Sequence, residues 1–188
     1  MIYVNDDLQA LDLGHALTLL SPQRREYLMR FRNETSRRAG AAAYLLLCKG
    51  LRELYGITQP PLFTFGAHGK PFLADHPQIH FSLSHCREAA VCAISDRPIG
   101  IDVESPRSFS PSLLSYTMSP EEVESIRSDA DPTMAFLRLW TRKEAAFKLQ
   151  GTGITDDIRL VLQHSSHLLF KTYASPDQRY VYSVCWGE

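Results

Sequence analysis

The segment Ile99–Glu104 limits the possible folds and functions of this chain more than any other segment does. Its apolar residues alternate with Gly100, Asp102 and Glu104, and the side chains of a β-strand point alternately to its two faces. The pattern therefore predicts a strand on which Asp102 and Glu104 share one face. Two neighbouring carboxylates repel each other unless a cation lies between them, and Mg²⁺ prefers oxygen ligands. The segment predicts either a magnesium-binding strand or an exposed sheet face with two solvated acids.

A second segment with candidate functional residues lies at residues 132–150 and has the composition of a helix. Trp140, Glu144 and Lys148 are spaced four residues apart, which places them on one helix face. Trp140 is expected to anchor this face in the core. Glu144 could then add a third oxygen ligand, and Lys148 could contact a phosphate. The plainer alternative is a solvated Glu–Lys pair, which stabilises a helix by about 0.3–0.5 kcal/mol.

The net charge, the hydropathy and the cysteine pattern argue against several classes of protein. The formal net charge of the 188 residues is -1, whereas nucleic-acid-binding domains are usually clearly basic; no nucleic-acid partner is expected. The sequence has no apolar run long enough to span a bilayer, and its first residues do not resemble a signal peptide. We therefore expect a cytoplasmic protein without membrane contact. The cysteines form no Cys-x-x-Cys pair, which argues against a zinc site.

The remaining pattern consists of blocks of helices and strands. Two helices are predicted near the N-terminus, then strands, then further helices, and finally strand-like runs in the tail. This order predicts an α+β fold. The predicted helices lie at 21–33, 35–55, 110–117, 119–127 and 132–150, and the strands at 2–4, 63–65, 79–83, 89–94, 99–104, 159–162 and 180–184.

Three motifs follow one another in an order that is typical of a known family. They are Gly69-Lys70-Pro71 followed by Phe81-Ser82-Leu83-Ser84-His85, then Ile99–Glu104, and then Trp140-Thr141-Arg142-Lys143-Glu144-Ala145 with Lys148. A looser match covers Ser21–Glu26 together with Phe31 and Arg38. With these motifs the chain resembles the 4′-phosphopantetheinyl transferases of the larger, surfactin-synthetase-activating type, which have holo-acyl-carrier-protein synthase activity.

The resemblance implies a fold of two pseudo-symmetric halves, each with helices packed on a small, mainly antiparallel sheet. The halves would be residues 1–98, which contact the coenzyme A phosphates and nucleotide, and residues 99–188, which carry the metal and catalytic motifs. The active site would lie between them, so a monomer is expected to suffice. The implied metal ligands are Asp102, Glu104 and Glu144, and the implied coenzyme A contacts are Arg24, Arg38, Lys70, Ser84, His85, Lys143 and Lys148.

The reaction implied by the resemblance is Mg²⁺-dependent transfer of the 4′-phosphopantetheine arm. A serine of an acyl or peptidyl carrier protein would attack the β-phosphate of coenzyme A and release 3′,5′-ADP. Lys143 and Lys148 would balance the charge on the phosphates. The serine proton would pass to Glu104, to Glu122 or its neighbour Glu121, or to a metal-bound water. The chain departs from the family at Tyr27, where a relative may carry a lysine, and at Cys86, where a hydroxyl residue is usual.

Two other classes of function stay open from the residues. A metal-dependent phosphohydrolase would also use clustered carboxylates and basic residues, and a non-catalytic module could hold an acidic carrier protein on its arginine-rich helices. A carrier protein could contact apolar residues after position 110, although the same residues could pack in the core. These residues are Phe109, Leu113, Leu114 and Tyr116.

Overall fold

The computed structural model describes residues 1–153 and 158–188. Its helices and strands alternate in blocks, as the sequence pattern indicates, and a single 3-10 turn covers Leu8–Ala10. In chain order the elements are β1 (Ile2–Asn5), α1 (Leu13–Leu19), α2 (Pro22–Met29), α3 (Glu34–Tyr55), β2 (Phe63–Phe65), β3 (Pro71–Leu73), β4 (His80–His85), β5 (Ala90–Ser95), β6 (Ile99–Glu104), α4 (Pro111–Thr117), α5 (Pro120–Ser128), α6 (Pro132–Gln150), α7 (Val161–His164), β7 (Leu168–Ala174) and β8 (Val181–Gly187).

The first sheet is antiparallel, with the strand order β1-β5-β4, and helix α3 packs against it. The side chain of Asn33 accepts a hydrogen bond from the backbone N–H of Ser36 and so caps α3, and Gly56 ends the helix with φ of 68°. A left-handed residue at this position favours glycine. The buried face of α3 contributes Tyr44, Leu47 and Leu51 to the largest apolar cluster.

The second sheet is also antiparallel, with the strand order β6-β8-β7, and helix α6 packs across it. The helix lies on the strand face that carries Gly100, because a Cβ at Gly100 would lie 2.0 Å from the carbonyl oxygen of Ala145. A side chain at that point would push the helix away from the sheet. Glycine therefore permits the close approach that brings the polar residues of α6 to those of β6.

The two sheets meet where β4 lies beside β6. The backbone N–H of Ile101 donates a hydrogen bond of 3.0 Å to Oγ of Ser82, so the contact is hydrogen-bonded as well as packed. Two antiparallel sheets with helices packed on them confirm the α+β prediction. None of the described helices is both long enough and apolar enough to cross a membrane.

The structure corrects the prediction of a strand at residues 159–162. This segment is a turn that leads into the short helix α7. Val161 is buried in an apolar cluster with Phe147 and Leu168. Its side chain thus covers the last turns of α6 instead of entering a sheet. Strand β7 begins later, and it pairs with β8 along its whole length.

Candidate active site

Asp102, Ser84 and Lys148 form a closed hydrogen-bonded triangle where the two sheets meet. Asp102 is almost completely buried, at 4% exposed. Its Oδ1 accepts a hydrogen bond of 2.8 Å from Oγ of Ser84 and lies 2.6 Å from Nζ of Lys148. Lys148 Nζ also donates to Ser84 Oγ at 2.8 Å. Strand β4, strand β6 and helix α6 are thereby joined through one carboxylate oxygen.

The two other acidic residues of the site have few partners. Oε1 of Glu104 accepts a hydrogen bond of 3.4 Å from the indole N–H of Trp140 and lies 4.0 Å from the guanidinium of Arg107. Oε1 of Glu144 is buried and has no hydrogen-bond partner. Trp140, Glu144 and Lys148 are all directed towards β6, as their i, i+4 spacing predicts.

The protonation of these acids reflects their burial and their mutual repulsion. Burial, followed by the charge of Asp102, raises the pKa of Glu144 to about 7 against the opposing effect of Lys148. Burial, followed by the charge of Asp102, also raises the pKa of Glu104. Carboxylates with raised pKa values indicate a site that has too little positive charge for its acids.

The donor atoms of the site suit a hard cation. Oδ2 of Asp102 and Oε1 of Glu144 are both buried without a hydrogen-bond partner, and an unpaired buried carboxylate oxygen is costly. A divalent ion such as Mg²⁺ would satisfy both atoms. Within the described residues, however, no three His, Cys, Asp or Glu side chains are gathered closely enough to form a ready-made metal cage. The residues fit the ion in chemistry, but the three carboxylates are not closed around one point.

Lys143 does not lie with these residues, contrary to the role that the resemblance implies. Its side chain is completely buried, and its ammonium donates to the carbonyl oxygens of Thr117, Ile158 and Arg159 at 3.0, 2.9 and 2.9 Å. It also pairs with Oε2 of Glu122 at 2.7 Å. All of these partners belong to the segments that flank α6, so the ammonium is not available to a phosphate.

Helix geometry explains this correction. Successive residues of a helix are rotated by about 100°, so Lys143 leaves the face on which Glu144 and Lys148 lie. Glu122 is equally committed, because its side chain accepts from the backbone N–H of Ser119 in a capping box at the start of α5. The structure therefore does not bring Glu122 to the carboxylates as a general base. Both residues stabilise the packing of α5 against α6.

A groove runs between the two sheets, and Arg24 borders it across from the carboxylates. Arg24 is mostly buried. Its guanidinium stacks over the rings of Tyr27 and Tyr44, at 4.9 and 5.9 Å from their centroids. One Nη donates a long bond of 3.4 Å to the carbonyl of Gly40, whereas Nε is buried without a partner. Burial lowers the pKa of Arg24. A buried guanidinium with a free donor is suited to binding an anion.

His85 and Lys70 border the same groove. Burial, followed by the charges of Arg24 and Lys148, lowers the pKa of His85 to about 4, so the imidazole is neutral near pH 7. Nζ of Lys70 donates a hydrogen bond of 2.6 Å to the carbonyl of Leu149. This bond joins the β2–β3 hairpin side of the groove to the end of α6.

Arg38 is engaged elsewhere, which corrects its assignment to the nucleotide site. Its guanidinium donates to the carbonyl oxygens of Leu11 and Gln9 and pairs with the side chain of Glu34. These contacts hold the 3-10 turn and α1 against α3. The arginine-rich stretch is thus divided by its environment, since Arg24 borders the groove whereas Arg38 fixes a structural contact.

The candidate residues line one continuous groove between the sheets. Arg24, Tyr27, Ser84, His85 and Lys148 border its middle. Lys70, Glu144 and Lys148 border one end, and Glu104 with His85 and Cys86 border the other. The shared residues Lys148 and His85 connect these parts. Arg24, Lys70 and His85 of the first half of the chain thus border one wall of the groove, and Glu104, Glu144 and Lys148 of the second half border the other.

The apolar residues after position 110 divide between core and surface. Leu114 is buried, and the ring of Phe109 stacks on that of Phe136 with centroids 4.5 Å apart. Tyr116, in contrast, is 63% exposed. Core packing thus accounts for part of this group, and Tyr116 is left as its exposed member.

Two residues of the site were not identified from the sequence. Ser82 had no role assigned, although it bonds β6, and Gly100 was noted only for its place on the polar face. The alternation in Phe81–His85 could have identified Ser82, because it places Ser82 on the same face as Ser84. No sequence signal predicts the approach of Ala145 to Gly100.

Comparison with known proteins agrees with this site. A family model described as the 4′-phosphopantetheinyl transferase superfamily matches residues 98–185. A 4′-phosphopantetheinyl transferase of Bacillus subtilis is 26% identical over 98% of this chain and 89% of its own length. Sfp of Bacillus subtilis strain 168 is 26% identical over 82% of this chain and 70% of its own length, and psf-1 of Bacillus pumilus is 29% identical over 88% and 78%.

The matched region contains β6, α6 and the three acidic residues, and the curated relatives extend the similarity over the first sheet and the basic wall of the groove. The sequence motifs, the fold and the arrangement of the site all agree with this similarity. The chain is thus similar to 4′-phosphopantetheinyl transferases over most of its length, and the part that matches the family model carries the acidic residues of the site.

Proposed function

We propose that this enzyme transfers the 4′-phosphopantetheine arm of coenzyme A to a serine of an apo acyl or peptidyl carrier protein and releases 3′,5′-ADP. The observation that carries the proposal is the pairing of two walls in one groove. Arg24 has a buried donor without a partner at one wall, and Glu144 at the other wall and Asp102 behind it have buried acceptors without a partner. A substrate with a pyrophosphate, a further phosphate and associated cations fits such a groove.

Coenzyme A would lie along the basic wall. The free Nε of Arg24 would donate to a phosphate, and the stacked tyrosine rings hold its guanidinium in place. His85, which is neutral near pH 7, would donate a single hydrogen bond rather than a charge. Lys70 would contribute a cation at the end of the groove. Such contacts remote from the reacting bond mainly strengthen ground-state binding.

Asp102, Glu104 and Glu144 would hold the Mg²⁺ ion that the family resemblance implies. When bound, this ion supplies positive charge that lowers the cost of charge build-up on the phosphate oxygens. The charges of Asp102 and Glu104 both raise the pKa of Glu144, so the three carboxylates lie close enough to interact. Lys148, which reaches Asp102 and also borders the groove, would stabilise the departing phosphate.

The transfer forms one bond and breaks one. The serine oxygen of the carrier protein attacks the β-phosphorus, and the bond from that phosphorus to the bridging oxygen breaks, so the electron pair leaves with 3′,5′-ADP. The serine proton passes to a carboxylate. Glu104 and Glu144 are the candidates, because both have raised pKa values and a general base works best with a pKa near the operating pH.

The division of the chain is part of the proposal. Residues 1–98 would supply the coenzyme A wall and residues 99–188 the carboxylate wall, with the active site in the cleft between them. Because one chain carries both walls, a monomer would be sufficient, and we propose that it acts in the cytoplasm.

The test is to incubate the protein with coenzyme A, Mg²⁺ and an apo carrier protein and to measure the intact mass of the carrier. A gain equal to one phosphopantetheine arm, lost when EDTA replaces Mg²⁺, is the expected result. Release of phosphate from simple phosphate esters without modification of the carrier would instead indicate a phosphohydrolase. Carrier binding without any mass change in Mg²⁺ would indicate a non-catalytic module.

A further inference from the structure

We propose that Ser84 is a positioning residue for Asp102 rather than a contact to coenzyme A. In this role its hydroxyl holds Oδ1 of the carboxylate, so that Oδ2 is presented to a divalent cation. The inference rests on the proposed function, because it concerns the metal that this function requires. It differs from the expectation from the sequence, which assigned Ser84 to the cofactor.

The first argument is the use of the single hydroxyl proton. Ser84 Oγ donates that proton to Asp102 Oδ1 at 2.8 Å and accepts a hydrogen bond from Lys148 Nζ at 2.8 Å. A serine has one proton to donate. The same hydroxyl therefore cannot donate to a phosphate without releasing Asp102. Its side chain is also buried, and Ser84 as a whole is only 8% exposed.

The second argument is the asymmetry of the carboxylate. Oδ1 of Asp102 has two donors, Ser84 and Lys148, whereas Oδ2 is buried with none. The terminal torsion of an aspartate is soft, so the orientation has to be fixed by the partners of Oδ1. The ammonium of Lys148 is at the end of a flexible chain and could follow a rotating carboxylate. Ser84 is attached directly to β4 and could not, which makes it the fixed reference.

The third argument is the comparison with Ser82, which offers a matched control. Ser82 lies two residues earlier on the same strand and is similarly buried, at 6% exposed. Its hydroxyl also bonds β6, but it accepts from the backbone N–H of Ile101. Removing either hydroxyl therefore weakens the contact between β4 and β6. Only the removal of the Ser84 hydroxyl releases the carboxylate of Asp102.

The experiment compares Ser84→Ala with Ser82→Ala and with the hydroxyl-retaining variant Ser84→Thr. Thermal unfolding first establishes that each variant is folded. Binding of Mn²⁺ is then followed by electron paramagnetic resonance in the presence of coenzyme A and without a carrier protein, so that no turnover occurs. Binding of coenzyme A is measured separately in EDTA by isothermal titration calorimetry. The first readout reports on Asp102, and the second reports on direct contact with the cofactor.

Ser84→Ala is expected to weaken Mn²⁺ binding about tenfold, the lower end of the effect of losing a residue that orients a metal ligand. Coenzyme A binding in EDTA is expected to stay at the wild-type value. Ser82→Ala should bind Mn²⁺ as the wild type does, and Ser84→Thr should recover most of the lost affinity. The apparent KM for Mg²⁺ in the transfer assay should rise in Ser84→Ala, whereas that for coenzyme A should not.

Three outcomes would overturn the inference. The first is wild-type Mn²⁺ binding by Ser84→Ala. The second is weaker coenzyme A binding by that variant in EDTA, which would return Ser84 to the cofactor. The third is an equal loss of Mn²⁺ affinity in both alanine variants, which would indicate general loosening. Each is distinct from failure of the proposed function, which would appear as absence of carrier modification by the wild-type enzyme.

Discussion

The ammonium of Lys148 lies 2.6 Å from Oδ1 of Asp102 and is the only cationic group among the described residues that pairs with this carboxylate. The pair joins the last turns of α6 to the middle of β6. It also leaves Glu144, one turn earlier on the helix, beside Asp102 without a cation of its own. Within the described part of the chain, the two carboxylates of Asp102 and Glu144 thus share a single cation, Lys148.

Replacement of Asp102 by Ala should reduce transfer at least about 100-fold, because the electrostatic stabilisation of a reacting phosphate depends on the groups that hold the charge in place. The fold should persist, since Lys148 retains contact with solvent and with Ser84. The rate of carrier modification and the far-UV circular dichroism spectrum check both parts. Glu26→Ala, which alters an exposed surface ion pair, is the control. Near-normal transfer by Asp102→Ala in Mg²⁺ would refute the carboxylate site.

Arg24→Ala should raise the KM for coenzyme A and change kcat less, because a contact remote from the reacting bond mainly contributes uniform binding. Arg25→Ala removes a guanidinium from the next residue, which is exposed, and should leave the KM unchanged. Steady-state kinetics at saturating carrier protein provide both constants. An equal response of the two variants would mean that Arg24 acts only through the overall charge.

Lys143→Met should lower the free energy of unfolding by about 3–5 kcal/mol, the usual effect of breaking a buried ion pair. Three carbonyl groups and Glu122 would lose their donor at once. Coenzyme A affinity should change little at a temperature where the variant is folded. Urea unfolding and calorimetry separate the two effects. A stable variant with poor coenzyme A binding would restore Lys143 to the cofactor site.

Gly100→Ala should destabilise the protein by about 1–3 kcal/mol and impair transfer, because the new methyl group overlaps the backbone of α6 at Ala145. Gly187→Ala on β8 is the matched control, since a Cβ there would meet no atom within 4 Å. Thermal unfolding of the two variants gives the comparison. If both melt together, the close approach of helix and strand is not a constraint on stability.

The contribution of His85 to stability, measured as the difference between the wild type and His85→Gln, should fall as the pH is lowered from about 6.5 towards 4. The raised pKa values of Glu144 and Glu104 act in the opposite direction but are present in both proteins. Burial, then the charges of Arg24 and Lys148, lower the pKa of folded His85 to about 4, whereas an unfolded histidine titrates near 6.5. The unfolded chain binds the proton first, so acid favours unfolding. The stabilising contribution is complete above pH 6.5. Urea midpoints of wild type and His85→Gln across this range should converge in acid; parallel curves would exclude His85 as the cause.

Local patterns predicted the parts of the site that depend on one element. The alternation around Asp102 and the helical spacing of Glu144 and Lys148 hold in the structure, because a strand or helix fixes the face on which a residue lies. The roles of Lys143, Glu122 and Arg38 depended on which neighbouring segment packs beside them. That information lies in tertiary packing. The sequence therefore predicts coenzyme A contacts for Lys143 and Arg38 and a general base at Glu122, whereas all three stabilise contacts between helices or turns.

The segment after α6 shows that the prediction of backbone structure has the same limit. The segment at 159–162 has residues that suit a strand, but Val161 is buried and Leu162 is partly buried against the end of α6. Burial of an apolar cluster outweighs a weak local preference. The α+β class was predictable because it depends only on the order of long segments, whereas the short connections depend on what lies next to them.

The hydrogen bond from Ile101 to Ser82 along the line where β4 meets β6 has a consequence for the catalytic cycle. A clamshell movement, in which two lobes swing apart on a hinge to admit a ligand, would have to break buried polar contacts on this seam. Entry and exit are therefore expected through the open ends of the channel, by reorientation of side chains. Turnover would then require no large rearrangement of the backbone.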